Sequence, residues 1–476
     1  MESALYTHGG SLPSIGKRYR GIEYIERSKT RNLVELLTKA TLTSPEKLPS
    51  IGSSIQFSEI KNLLDNETAI IEWYIFNDCF RAFIITRDND KPAIWHSSQQ
   101  DLNALIDWTN EYLIDYYNPQ DQQYKAQWQN QLEERLKKLS KILHIEEILY
   151  QIPKCYRLIF IPHLYLHLFP LHAFPVKESY LIDLFPKGVS YAPSCQLLQQ
   201  VQLRQNLDFK SLFAIQNPTQ NLYEGDLGAV AAIKKQFIEH QILKQDQAKK
   251  SAILCINENP HNVTLHEKLL KANCVFFFCH GYFNPNYPEN SALLLKDCFV
   301  SSESVKVDYK HYIPVPGDED IAVDLTKCLT LADIITHFKL ENCRLVTLSA
   351  CETGLTDFTS TSDEYIGLPS GFLLAGSTNV VSSLWTVNAT ATALLMIKFY
   401  EELKEKSNIV LALNRAQRWL KNTNVKEFQD WVSKSSLSIV CQIEINRYFY
   451  NYENTSTKPF ESPFYWAAFC NIGKGV

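Results

Sequence analysis

Two short runs of the chain are apolar or small at every position, and they constrain the fold more than any other feature. They are CVFFFC at 274–279 and LVTLSA at 345–350. A strand with one face in water would carry a polar side chain at every second position, whereas these runs do not alternate. We therefore expect buried strands of a mostly parallel sheet with helices on both faces.

Strands and helices alternate from residue 211 to the end of the chain, which favours an α/β fold. The sequence predicts strands at SLFAIQNP (211–218), AILCIN (252–257) and NVVSSLW (379–385), and helices at 228–243, 264–272 and 389–420. Residues 299–328 are polar and contain proline and glycine, which predicts an exposed loop.

The sequence before residue 211 predicts a different order of helices and strands. Residues 21–38 carry apolar side chains at helical spacing, and a Ser/Pro-rich linker follows. A hairpin is expected at 68–86 about Asn77-Asp78, then a charged helix at 127–152 and a strand at 157–162. At 476 residues the chain exceeds the roughly 250–300 residues that one core usually serves. We predict an N-terminal helix and linker (1–55), a first half (56–205) and a second half (206–476).

The composition excludes several functions. A net charge of −5 gives no overall attraction to nucleic acid, and no stretch is long and apolar enough to cross a membrane. The twelve cysteines lie singly and no signal region precedes them, so a reducing cytoplasm is expected. His163, His167 and His172 lack the spacing of a zinc site, and no metal or cofactor is predicted.

Two predicted strands end in reactive side chains. His280-Gly281 follows the first apolar run, and Cys351-Glu352-Thr353-Gly354 follows the second. Reactive groups gather at the carboxyl ends of parallel strands, and neighbouring strands lie about 4.8 Å apart. If the two strands are neighbours, an imidazole and a thiol therefore meet at one edge of the sheet.

This pair suits nucleophilic catalysis. A thiolate is the nucleophilic form of cysteine, and a nearby imidazole both takes its proton and returns it to a leaving amine. We expect Cys351 to attack, His280 to transfer the proton, and the backbone N–H groups of Gly281 and Cys351 to stabilise the oxyanion. Because cysteine is among the most often buried residues, a structural role for Cys351 is the competing interpretation.

Substrate contacts are also predicted. Asp363 and Glu364 follow the cysteine and offer carboxylates to a basic substrate side chain, although a short acidic loop is more often solvated surface.

Several segments resemble the CHAT protease family, a branch of the caspase-like cysteine peptidases related to separase. The resemblance covers about residues 60 to 473 and rests on FFFCHGYFNPNYPENSALLL (276–295), LTLADIITHFKLENCRLVTLSACETG (329–354), IGLPSGFLLAGSTNVVSSLWTVN (366–388), YWAAFCNIG (465–473) and IPHLYLHLFPLHAF (161–174). IEYIERSKTRNLVELL (22–37) is similar to the helix that joins tetratricopeptide repeats to such domains, yet no repeats precede it here.

The resemblance implies a caspase-like sheet flanked by helices, preceded by a degenerate caspase-like half without catalysis. It also implies an endopeptidase with His280 and Cys351 as its dyad, a protein substrate, regulated proteolysis of a bacterial kind, and activation by a partner protein or sensor module. SLWTV (383–387) resembles the segment along which caspase-like enzymes pair with substrate backbone, so Trp385 is expected to line a pocket there. Two alternatives stay open at this stage. One is a catalytically silent scaffold that acts by protein–protein interaction, and the other is a thiol acyltransferase with the same dyad.

Overall fold

The structure is a computed structural model, and the residues it describes fall into eleven segments. They are 21–29, 55–117, 122–205, 207–222, 228–256, 259–284, 287–305, 311–315, 318–350, 367–435 and 437–475. The linker expected after the first helix and the segment 351–366 lie outside the described residues.

Nineteen strands are described in these segments. They are β1 (Thr68–Ile75), β2 (Phe80–Thr86), β3 (Ala93–His96), β4 (Arg157–Ile161), β5 (Pro175–Val176), β6 (Ser179–Tyr180), β7 (Val189–Tyr191), β8 (Ser211–Gln216), β9 (Glu239–Lys244), β10 (Cys274–Phe278), β11 (Gly281–Tyr282), β12 (Ala292–Leu293), β13 (Phe299–Ser301), β14 (Tyr312–Val315), β15 (Asp318–Asp324), β16 (Leu329–Thr330), β17 (Leu345–Ser349), β18 (Asn379–Ser383) and β19 (Phe469–Gly473).

Helices cover both faces of the sheet. The first, α1, is described over 21–29. The others are α2 (Phe57–Asn62), α3 (Gln99–Tyr117), α4 (Gln122–Ile142), α5 (Ile145–Leu149), α6 (Leu181–Leu184), α7 (Cys195–Gln202), α8 (Ala229–Lys234), α9 (Lys250–Ile253), α10 (Pro260–Lys271), α11 (Leu331–His337), α12 (Leu368–Leu374), α13 (Ala389–Lys406), α14 (Ile409–Asn422), α15 (Val425–Lys434), α16 (Ile439–Phe449) and α17 (Pro463–Trp466).

One eleven-stranded sheet organises the molecule, in the order β3-β2-β1-β4-β7-β19-β18-β17-β10-β8-β9. Its pairings are parallel except for β1–β2, β2–β3 and β18–β19. Every residue of β10 and β17 is buried, as expected for strands covered on both faces. The mostly parallel α/β fold expected from the apolar runs is thus confirmed.

The hairpin about Asn77-Asp78 is also confirmed, since β1 and β2 pair antiparallel. The helix expected at 127–152 is instead two helices, α4 and α5. His144 separates them with a φ of 49°, a left-handed conformation that interrupts the helix.

One strand of the second half lies earlier in the sequence than predicted. Residues 252–257 were predicted as a strand, but their first two residues end the short helix α9. The strand is β9, within the region predicted as helix. The reason is that β9 is an edge strand that buries mainly Leu243, so it lacks a strong apolar signal, whereas α9 packs its apolar residues inward.

The prediction of an exposed loop at 299–328 is wrong for its described residues. They form a three-stranded sheet in the order β13-β15-β14. Cys298, Ile313, Val323 and Cys328 belong to a small apolar core of their own beneath it. Most of the described polar residues of this insert are exposed or partly exposed, and they interrupt its apolar positions, so its sequence lacks a continuous apolar run.

The two halves share one sheet. The antiparallel pairing of β18 with β19 reverses the strand direction, and β19 then pairs parallel with β7 of the first half. One connected set of buried apolar side chains runs from Ile22 to Ile472. The domain bounds at residues 55 and 205 stay predictions. No helix among the described residues is long and apolar enough to cross a membrane.

Candidate active site

The candidate site lies at the carboxyl ends of β10 and β17. These strands are neighbours, and Phe278 pairs with Ser349 at their last positions. His280 follows Phe278 by two residues, and Cys351 follows Ser349 by two residues. Cys351 itself lies outside the described residues. The parallel register therefore gives His280 and Cys351 the same offset from one pair of residues at the edge of the sheet.

The imidazole of His280 is held from the loop after β8, the strand on the other side of β10. Its Nε2 lies 2.8 Å from Oδ1 of Asn221. Because an amide oxygen only accepts, Nε2 carries the proton and donates it. Thr219 Oγ1 donates to the same oxygen at 2.7 Å. The neutral ring therefore has Nδ1 as its unprotonated nitrogen.

The loop at 217–222 is braced against β10. The backbone N–H of Asn217 donates to the carbonyl of Phe278 at 2.7 Å, and the Asn217 side chain accepts the N–H of Leu222 at 3.2 Å. Asn217 and Gln220 have positive φ values of 47° and 64°. Two left-handed residues make the loop turn back on itself, which carries Asn221 to His280.

Asn221 is a site residue that the sequence alone does not indicate. A signal was present, because β8 was predicted as a strand and Asn217, Thr219 and Asn221 follow it. Side chains after neighbouring parallel strands share one edge of the sheet. What the sequence did not show was that β8 is the neighbour of β10.

Burial favours the neutral form of His280. The ring is half-buried, and this burial lowers its pKa below the ordinary value. The imidazole is therefore mostly neutral at pH 7 and available to accept a proton.

Gly281 opens the short strand β11, opposite Leu293 of β12. The carbonyl of His280 accepts the N–H of Leu294 at 2.9 Å, which fixes the backbone that carries the imidazole. The role of the Gly281 N–H as an oxyanion donor stays a prediction, as does that of Cys351.

The predicted substrate contacts are only partly described. Asp363 and Glu364 lie outside the described residues. Trp385 is 1% exposed, and its indole N–H donates to the carbonyl of Phe464 at 3.1 Å. The ring packs edge-on against Trp128 of the first half. Trp385 thus lies in the core of this structure, and a role in lining a substrate pocket stays a prediction.

The three histidines of the first half have separate surroundings. His163 Nδ1 accepts the backbone N–H of Ile75 at 3.0 Å. His172 Nδ1 lies 2.8 Å from the hydroxyl of Tyr191. The same hydroxyl accepts the backbone N–H of His172. Burial lowers the pKa of His172 to about 3 and that of His167 well below its usual value.

A group of three metal-ligand side chains does converge among the described residues, but elsewhere. Ligand atoms of Glu26, Glu72 and Cys195 lie within 4.8 Å of one another. Lys29 Nζ lies 2.7 Å from Glu72 Oε1, so a cation already faces these carboxylates. This cluster is not predicted from the sequence. Its one signal is that Glu26 and Lys29 share a helix face with Ile22 and Ile25.

Comparisons with known proteins agree with this architecture. A family model, the CHAT domain, matches residues 132–474. Separase of Saccharomyces cerevisiae in its complex with securin is 9% identical at a TM-score of 0.54, over 97% of this chain and 34% of its own. A second structure of that complex is 10% identical at a TM-score of 0.50, over 83% and 32%.

The arginine-specific cysteine proteinase gingipain R has a TM-score of 0.36 and 7% identity over 72% of this chain and 67% of its own. No curated protein matches the sequence. The chain spans about a third of the length of separase, and the likeness to separase shows a shared fold.

Proposed function

Because the chain belongs to the CHAT domain family, whose model matches residues 132–474, we propose that it is a cysteine endopeptidase. Cys351 is its nucleophile and His280 its general base and acid. The substrate is a protein, and a partner protein or ligand activates the enzyme.

The register of β10 and β17 carries this proposal. Phe278 and Ser349 are paired, and the histidine and the cysteine each follow by two residues. Reactive groups gather at the carboxyl ends of adjacent parallel strands, so these equal offsets support a meeting of the two side chains at one edge. A scaffold has no need of a thiol and an oriented imidazole at these positions.

The chemistry follows from the state of His280. Its Nε2–H is held by Asn221, so Nδ1 accepts the thiol proton of Cys351. The thiolate adds to the scissile carbonyl carbon, and the C–N bond breaks as the imidazolium protonates the leaving amine. Water then adds to the thioester, giving up a proton to Nδ1, and the C–S bond breaks to release the acid and the thiol.

The pH profile should reflect the lowered pKa of His280. The base works when neutral, so activity is lost on the acid side as the ring becomes protonated. Because burial lowers the pKa of His280, we expect half of the activity to be lost at a pH below the ordinary value of 6.5.

The test is cleavage of a mixed peptide library, with and without an extract of the source cells that supplies an activator. Native protein is compared with Cys351→Ala, His280→Ala and the matched control Cys155→Ala, a partly buried thiol of the first half. We expect cleavage by the native and control proteins, and a loss of at least about 10³-fold in the other two.

Two outcomes would contradict the proposal. Retained cleavage by Cys351→Ala would show that the thiol is not the nucleophile. An absence of cleavage by every variant, together with capture of the same partner by native and Cys351→Ala proteins, would favour the silent scaffold. The separase neighbour was solved in complex with securin, which is a reason to look for a protein partner.

A further inference from the structure

The first half repeats the strand arrangement of the candidate site. Here β1, β4 and β7 are successive parallel neighbours, as β8, β10 and β17 are in the second half. His163 follows the end of β4 by two residues, as His280 follows β10. Cys195 follows the end of β7 by four residues, and Cys351 follows the end of β17 by two. Because β18 and β19 are antiparallel, the parallel strands of the first half run opposite to those of the second. The carboxyl ends of β4 and β7, the second edge, therefore lie at the opposite end of the sheet from the candidate active site.

A helix covers this second edge. Glu26 of α1 accepts the backbone N–H of Cys195 with Oε1 and that of Gln196 with Oε2, both at 2.9 Å. These two N–H groups belong to the first turn of α7, where intrahelical acceptors are missing. Glu26 therefore supplies both acceptors from another element of the chain.

The second contact is an ion pair in the same place. Lys29 Nζ donates to Glu72 Oε1 at 2.7 Å, and the thiol of Cys195 faces Glu72 Oε2 at 3.7 Å. Glu26 and Glu72 are fully buried, and Lys29 is 1% exposed. Removing either partner leaves a buried charge without compensation.

The protonation states keep the cluster balanced. Burial and the neighbouring carboxylate of Glu72 raise the pKa of Glu26 to about 8. Burial alone would lower the pKa of Lys29, but Glu72 and Glu26 raise it above its usual value. Lys29 therefore keeps its proton and supplies a positive charge beside the two carboxyl groups.

We propose that this edge of the first half is a second binding site, whose ligand is an amphipathic helix with buried Glu and Lys three positions apart, and that α1 is its resident ligand. Ile22 and Ile25 give the helix its apolar contacts, and Glu26 and Lys29 give it specificity. Cys195 is fully buried, and Glu26 of α1 contacts its backbone N–H, so we expect an empty site to expose this thiol. The edge that corresponds to the candidate catalytic edge thus serves recognition.

Site-resolved alkylation of the full chain tests this, with the thiol reagent N-ethylmaleimide and mass spectrometry of each cysteine peptide. Lys29→Met should raise the alkylation rate of Cys195 at least tenfold and leave that of Cys274, buried in β10, unchanged. The matched control is Arg27→Met, an exposed residue of the same helix. A synthetic peptide of residues 20–38 should slow Cys195 alkylation in Lys29→Met, whereas the same peptide with Met at position 29 should not.

Equal Cys195 rates in the Lys29 and Arg27 variants would overturn the proposal, as would an equal rise at Cys274. Identical effects of the two peptides would overturn the claim of specificity. Hydrogen exchange of the native chain gives an independent measurement, because α1 and the first turn of α7 should open together while β4 stays protected. Opening of α1 only together with β4 would contradict a separable helix. None of these measurements needs peptidase activity, so the proposed function can fail without affecting them.

Discussion

At the scale of single residues, the contact between His280 and Asn221 decides how the imidazole works. A neutral amide oxygen orients the ring without adding charge, so burial alone lowers the pKa of His280. A carboxylate at position 221 would favour the protonated ring. We expect Asn221→Asp to raise the pKa of His280 by about one unit or more.

Nitrogen-15 NMR of histidine-labelled protein measures this pKa and the tautomer, and His280→Gln assigns the signal. The matched control is Asn103→Asp on the exposed side of α3. In the native protein the neutral ring should carry its proton on Nε2. A proton on Nδ1, or equal pKa values in the native and Asn221→Asp proteins, would contradict the proposed positioning role.

Reactive side chains were predictable from sequence where they directly follow an apolar strand. Side chains that act through a contact between elements distant in sequence were not. His280 and Cys351 each follow an apolar run, so the sequence alone indicated both. Asn221 and Glu26 act on elements distant in sequence, β10 and α7, and only the folded arrangement shows those contacts. Glu26 and Lys29 also lie on the apolar face of a helix. Charged side chains are seldom buried on such a face unless another polar or charged group pairs with them.

At the scale of elements, the turn between α12 and β18 depends on a glycine. Gly376 has a φ of +122°, and a Cβ there would lie 2.8 Å from the carbonyl carbon of Leu340 and 3.0 Å from the nitrogen of Glu341. Both are backbone atoms, so relief requires the chain to move. We expect Gly376→Ala to lower the free energy of unfolding by about 1–3 kcal/mol.

Urea unfolding measures this difference, with Gly21→Ala as the control. Gly21 lies in α1, and among the described residues no atom beyond the adjacent residues and the helix's own backbone lies within 4 Å of its Cβ position. Alanine there should cost nothing and favours a helix. Equal stability of the Gly376→Ala and native proteins would show that the turn tolerates a side chain.

Elements were predictable from sequence in proportion to the apolar surface they bury. The sequence predicts the fully buried strands β10 and β17, whereas the sequence of the edge strand β9 favours part of a helix. The insert with β13, β14 and β15 was missed because its small core needs few apolar residues.

At the scale of the whole molecule, the two halves are joined more by their faces than by the sheet. Between β7 and β19 only Ile472 and Tyr191 are paired. Side chains on the faces of the sheet make further contacts between the two halves. Asn414 of α14 donates to the carbonyls of Ile182 and Phe185, at 3.2 and 3.4 Å.

Trp385 makes another such contact. Its ring lies against Trp128 of α4 with centroids 5.9 Å apart, and the next residue, Thr386, donates its N–H to the hydroxyl of Tyr116 at 3.0 Å. This part of the second half therefore supports α3 and α4 of the first. We expect Trp385→Ala to lower the free energy of unfolding by about 3–5 kcal/mol and to speed hydrogen exchange in α4 as well as in β18.

The control is Trp431→Ala, because Trp431 packs against Trp419 within the second half. That change should leave exchange in α4 at its native rate. Comparing exchange in α4 between the Trp385→Ala and Trp431→Ala proteins shows whether Trp385 couples the two halves or affects only a local pocket. A wall of a substrate pocket would give weaker peptide cleavage with unchanged exchange in α4. That result would contradict the coupling, since a large buried ring cannot be removed from a junction without loosening both of its sides.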